Sequence, residues 1–148
     1  MIITGPDYAN IVTWCVVFLG WYAVHQATLV RDRRKEKREI SAKLCTSLIE
    51  LQSAAIDFHT ASQCDVRQST DLAQQVERAV LQLQKLPLNE LSIPLSRMIA
   101  LRQRITRQNI DLTDFASQPA DSQIIFEIRN AVTDMIFAIE DARERVWK

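Results

Sequence analysis

Glycine is nearly missing from this 148-residue chain: there are two, Gly5 and Gly20, and none follows. Tight hairpins need glycine to reach positive φ, and phosphate-cradling loops need it to let the backbone close on a ligand. A P-loop, a dinucleotide-binding fingerprint and a nucleophile elbow are therefore absent, as is the turn chemistry of a sheet-rich fold. Cysteine is equally uninformative, with Cys15, Cys45 and Cys64 scattered and odd in number. Such a set does not form a disulfide framework, and Cys45 and Cys64 fit small apolar roles in a reducing compartment. Only two histidines occur, His25 and His59. Net charge is zero, with eighteen basic and eighteen acidic residues. Nucleic-acid binders usually carry a net basic surface, so no nucleic-acid partner is expected. Internal repeats and low-complexity tracts are also missing.

What the chain does have is an apolar run. Ile11 to Val24 is strictly apolar apart from Thr13 and Gly20, and the stretch from Ala9 to Val30 is long enough to cross a bilayer, which takes roughly twenty residues. Asn10, His25, Gln26 and Thr28 fall near its ends, where polarity is tolerated. A cleaved secretory signal would want basic residues before the run and small residues after it. Here only Asp7 precedes it and the flank beyond is bulky and basic. A core helix of a soluble complex should show a single apolar stripe. Trp14, Phe18, Trp21 and Tyr22 are expected instead at differing angles, giving an apolar surface nearly all round. The reading is an uncleaved single span over 9–30.

Charge then fixes orientation. Residues 31–39, RDRRKEKRE, hold six basic and three acidic residues. Arginine and lysine at the end of a span stay on the cytoplasmic side. The expectation is a short extracytoplasmic N-terminus (1–8), a transmembrane helix (9–30), a basic juxtamembrane segment (31–39) and a cytoplasmic domain (40–148), with the membrane as first partner. Arg31, Arg33, Arg34, Lys35, Lys37 and Arg38 are candidates to meet anionic lipid head groups. A solvated helix surface, with Asp32, Glu36 and Glu39 among the basic residues, is compatible with that role.

The stretch GWYAVHQATLVRDRRKEKRE carries a further signal in Gly20, Trp21, Val24, His25, Arg31, Asp32 and Arg33. It resembles a recurring segment of small bacterial single-pass membrane proteins, with Gly-Trp, then Val-His, then an Arg-Asp-Arg run leading into helices. The resemblance covers about a fifth of the chain. It implies a bacterial cytoplasmic-membrane setting and brings no activity with it.

Beyond residue 40 the apolar residues step by three and four. Leu44, Leu48, Leu51, Ala55 and Phe58 form one seam; Leu72, Val76, Ala79, Leu83 and Leu86 a second. Ile125, Ile128, Val132, Met135, Ile139, Ala142 and Val146 form the last. Such steps keep a stripe on one helix face. Ile49, Ile56, Val80, Ile124 and Ile136 widen the stripes, which favours a bundle over a two-stranded coiled coil. A third, less regular tract holds Leu95, Met98, Ile99, Leu101 and Ile105, with Arg102 where its seam would pass and Pro94 and Ser92 at its start. Turns are expected at 61–71, 86–94 and 109–122, with Ser69, Thr70 or Asp71 capping the second helix. The fold class predicted is all-α: an N-terminal transmembrane helix running on to about residue 62, then an antiparallel bundle of about four helices.

Chemistry finds little support. A metal site needs three or four ligands, and His59, Cys64, Asp57 and Asp65 match no recognised spacing. Covalent catalysis needs a nucleophile, a base and an orienting acid, and di-iron bundles use Glu-x-x-His motifs, which do not occur. No enzyme activity, cofactor or metal is expected. His25 reads as an interfacial anchor. Thr13, Gly20, Ala23 and Ala27 put small residues on one face of the span, where helices pack closely in lipid; they read either as ordinary composition or as a face for self-association into a homo-oligomer or docking to another membrane protein. Arg97, Arg104 and Arg107 form a strip for a partner's acidic surface, or pair internally with Glu127, Asp134 and Asp141. The function that follows is a membrane-tethered helical interaction or regulatory protein with a protein partner. Two alternatives stand: a membrane-active, toxin-like effector that oligomerises through its span, and a helical subunit of a soluble complex.

Overall fold

The structure is a computed structural model that describes residues 5–63, 65–84, 93–106 and 115–145. Among these it is all-helical, with α1 over Gly5–Thr60, α2 over Val66–Gln84, α3 over Leu95–Thr106 and α4 over Gln123–Arg145. The described residues include no strand. Contacts divide the chain into two compact units, Met1–Glu39 and Ile40–Lys148, and the division falls within α1 where the basic run ends.

In the first unit the helix is long and apolar enough, by length and composition, to cross a membrane. Over 10–39, the part of this unit whose side chains are described, no apolar side chain is buried, and Trp14 and Phe18 are each 63% exposed. Of the four aromatic rings expected at differing angles, Trp14, Phe18 and Trp21 share a side, while Tyr22 lies about 100° round the helix from Trp21. Trp14 and Phe18 lie 6.2 Å apart, and Trp21 stacks on His25 at 5.3 Å with the planes 4° apart. Both pairs are four residues apart, so Trp14, Phe18, Trp21 and His25 share one face. The all-round apolar surface comes from Ile11, Val12, Val16, Val17, Leu19 and Val24.

The second unit is built on the stepped seams. Leu44, Leu48, Leu51, Ala55 and Phe58 of α1 are buried with Leu72, Val76, Ala79 and Leu83 of α2. Met98, Leu101 and Ile105 of α3 and Ile128, Val132, Met135 and Ile139 of α4 complete the core. Full burial of such a side chain is worth about 1.5–3 kcal/mol, so these seams rather than intrinsic propensity hold the helices. Leu86 and Val146 lie outside the described residues. Leu95 and Ile99 of the third tract stay exposed, and Ile93, which no periodicity marked, is buried. Arg102 does not break the core: it turns away from it and pairs with Glu77 of α2 at 2.7 Å.

Helix starts follow local chemistry. The cap of α2 is Asp65, earlier than Ser69, Thr70 or Asp71; its Oδ1 accepts the Arg67 N–H at 2.9 Å. Ser69 is inside the helix and buried. The Asp65 carboxylate wins because it satisfies an otherwise orphaned first-turn donor. Pro94 immediately precedes α3, and its carbonyl accepts the Arg97 N–H at 2.9 Å; Ser92 lies outside the described residues. Ser122 starts α4, its carbonyl accepting from Phe126 N–H at 3.1 Å and its Oγ from Ile125 N–H at 3.4 Å.

Candidate functional site

Three places hold the residues singled out from the sequence. The first is the Met1–Glu39 unit. Thr13, Gly20, Ala23 and Ala27 are helical and exposed. A Cβ built on Gly20 would meet nothing within 4 Å, so nothing in the chain itself requires glycine there. Arg31, Arg33, Arg34, Lys35 and Arg38 are helical and exposed, and Lys37 is half-buried. Asp32, Glu36 and Glu39 interleave with them. At about 100° per residue, the three acids fall within roughly 60° of one another, on the face that carries Trp14, Phe18, Trp21 and His25. In the sequence the acids read as part of a solvated helix surface; their i, i+4, i+7 spacing is the signal that they occupy one side.

The second place is an open groove between α3 and α4, about 390 Å³, with Leu101, Ala131 and Met135 along its floor. Arg104 forms an ion pair with Glu127, which also accepts from Gln123 Nε2 at 3.1 Å. Arg97 Nη1 donates to the backbone carbonyl of Asp134 at 3.4 Å. Arg97 reaches Asp134 and Arg104 reaches Glu127, so residue numbers run in opposite senses along the two helices. The arginine strip is thus engaged with α4 at both described positions. Arg107 lies outside the described residues.

The third place surrounds His59, which is fully buried. Its Nε2 lies 3.1 Å from the Ile105 carbonyl at the end of α3, which makes the imidazole N–H the donor. The His59 carbonyl accepts the Gln118 N–H at 2.8 Å, and the Thr60 carbonyl accepts from Ser117 Oγ at 3.2 Å. Phe58 packs edge-on against the His59 ring and against Phe115, at 5.3 and 5.6 Å. The His59 ring therefore ties the end of α1 to α3, while the carbonyls of His59 and Thr60 and the Phe58 ring tie it to the segment leading into α4. Burial pushes the His59 pKa below the usual histidine range, and the bond to the Ile105 carbonyl only partly opposes that. Among the described residues, no group of three His, Cys, Asp or Glu is placed to hold a metal ion; Cys64 is not among them. Cys45 is half-buried, and burial, reinforced by Glu140 and opposed by Arg143, pushes its thiol up, away from the reactive thiolate.

No protein family, curated protein or solved structure matches the chain.

Proposed function

We propose that the protein is a single-pass membrane protein whose 9–30 helix anchors a cytoplasmic antiparallel helical bundle, and that the bundle works by binding a protein partner rather than by catalysis. One observation carries the reading. Large apolar side chains cover the helix over 11–30 with none of them buried, and a basic run follows at once. A helix apolar on all sides is stable only inside a large core or in lipid. The apolar seams of the second unit, by contrast, bury one another.

The basic run gives the orientation. Six Arg and Lys follow the span and Asp7 is the one charged side chain before it, which favours an N-terminus outside and residues 31–148 in the cytoplasm. Arg33, Lys35 and Lys37, away from the small-residue face, are the residues best set to meet anionic head groups. The setting fits the resemblance to small bacterial single-pass proteins. Tethering matters because it confines the bundle to a thin layer and raises its effective concentration toward membrane partners. Phe126 and Phe137 on α4 are 58% and 60% exposed and eleven residues apart, on one side of the helix; they are the aromatic contacts the bundle offers.

Alkaline carbonate extraction of isolated membranes tests the anchor. The protein is expected to stay in the pellet and to leave it only with detergent. Recovery in the supernatant after breakage in plain buffer would replace this reading with the soluble-complex one.

A further inference from the structure

The first unit has two unlike faces, and their chemistry points to a specific occupant. On one face Trp14, Phe18, Trp21 and His25 step by four, three and four, and Asp32, Glu36 and Glu39 continue the same side. On the other, Thr13, Gly20, Ala27 and Arg34 recur every seven residues, with Ala23, Arg31 and Arg38 beside them. At about 100° per residue the centres of the two faces are roughly 140° apart. One face is thus bulky, then acidic. The other is small, then basic.

A second copy of the chain fits this pattern, and only in one way. A two-fold pair made through the small face would set Arg31, Arg34 and Arg38 of both copies against each other. A two-fold pair made through the bulky face would oppose Asp32, Glu36 and Glu39 with themselves. Like charges at that range repel. Placing the bulky face of one copy on the small face of the next removes both conflicts. Trp14 then comes level with Thr13, Phe18 and Trp21 with Gly20, and His25 with Ala23 and Ala27, where small residues leave room for a close approach. Asp32, Glu36 and Glu39 come level with Arg31, Arg34 and Arg38. Gly20, which no contact within the chain requires, has its reason in the neighbour's rings.

We propose that the span self-associates in parallel, head to tail around an axis, through the Trp14–Phe18–Trp21–His25/Asp32–Glu36–Glu39 face of one copy and the Thr13–Gly20–Ala27/Arg31–Arg34–Arg38 face of the next. This rests on the membrane-tether reading, because the basic run gives every copy the same orientation and so aligns the two faces in depth. Unlike faces make a heterologous interface, which yields a ring when the rotation closes and never a two-fold dimer. Faces roughly 140° apart, less than the 180° of a straight row at about 100° per residue, turn successive copies toward closure.

The test uses the full chain in neutral phosphatidylcholine vesicles, with copies per assembly counted by single-molecule photobleaching. One variant blocks the small face (Gly20→Leu, Arg34→Gln, Arg38→Gln) and another weakens the bulky face (Trp21→Leu, Glu36→Gln, Glu39→Gln). The wild type is expected in assemblies of more than two copies, and each variant alone as single copies. Mixed together, the variants are expected to form one-to-one pairs, since the mixture still contains one intact face of each kind. Single copies of the wild type, a wild-type dimer, either variant assembling alone, or a mixture that stays single would each overturn the proposal. So would assembly that appears only with anionic lipid, which would assign the basic face to head groups. A charge-exchanged variant (Arg31, Arg34 and Arg38→Glu with Asp32, Glu36 and Glu39→Arg) retains the net charge and is expected to assemble like the wild type; single copies would overturn the charge pairing. Failure to float with the vesicles at all would overturn the tether reading as well.

Discussion

Acid should loosen the bundle through a single group, His59. Its ring is fully buried and donates to the Ile105 carbonyl, and burial lowers its pKa. The unfolded chain titrates this histidine near 6.5. A depressed folded pKa means the folded state refuses a proton that the unfolded state accepts. Stability is therefore complete above about pH 6.5 and falls as pH drops below it, with a limiting slope of about 1.4 kcal/mol per pH unit. Between pH 7.5 and 5.5 the loss is expected to reach at most about 1.4 kcal/mol, the limit set by protonation of the unfolded chain. The assay is urea unfolding of the full chain in mild detergent, followed by circular dichroism at both pH values, where a lower midpoint at unchanged slope reads a stability loss directly. His59→Gln retains an N–H donor and cannot titrate. It is expected to be less stable at pH 7.5 by about 1–3 kcal/mol through poorer packing and a weakened bond to α3, and to lose the pH dependence. An unchanged wild-type midpoint at pH 5.5, or a His59→Gln protein with the wild-type slope, would refute the reasoning.

Other substitutions separate the core from the surface. Ile128→Ala empties a site with no exposure and is expected to cost about 2–5 kcal/mol in the same assay, whereas Phe126→Ala on the open side of α4 should stay within about 0.5 kcal/mol. Arg104→Gln breaks the pair with Glu127, in which both side chains are partly exposed; the loss should be under about 1 kcal/mol and should shrink in high salt.

Much of the second unit was legible because period and burial coincide. Leu48, Leu72, Val76, Ile128 and Val132 stand where three-four stepping put them, and all are buried. The third tract was harder. Arg102 falls in line with its seam, and pattern alone cannot tell that a long side chain will turn aside to Glu77. The start of α2 was misplaced toward Ser69 because several capping residues compete within seven positions, and geometry decides among them. His59 was weighed as a ligand since a buried histidine leaves no mark in sequence; the carbonyl that holds it lies 46 residues away. Aromatic spacing in the first unit was fully written in the residues, yet the positions of Trp14, Phe18 and Trp21 read as scattered until the ring pairs showed a shared face.

The side of the membrane that each end occupies is the most direct measure of a span at 9–30. Single-cysteine variants of the full chain, carrying either Asp7→Cys or Glu144→Cys with Cys15, Cys45 and Cys64 replaced by serine, can be treated in intact cells with a membrane-impermeant maleimide. Label is expected at position 7 in intact cells and at position 144 only after permeabilisation. Label at 144 in intact cells, or a protein that reacts at both positions only in the soluble fraction of broken cells, would contradict a span at 9–30 held by the basic run behind it.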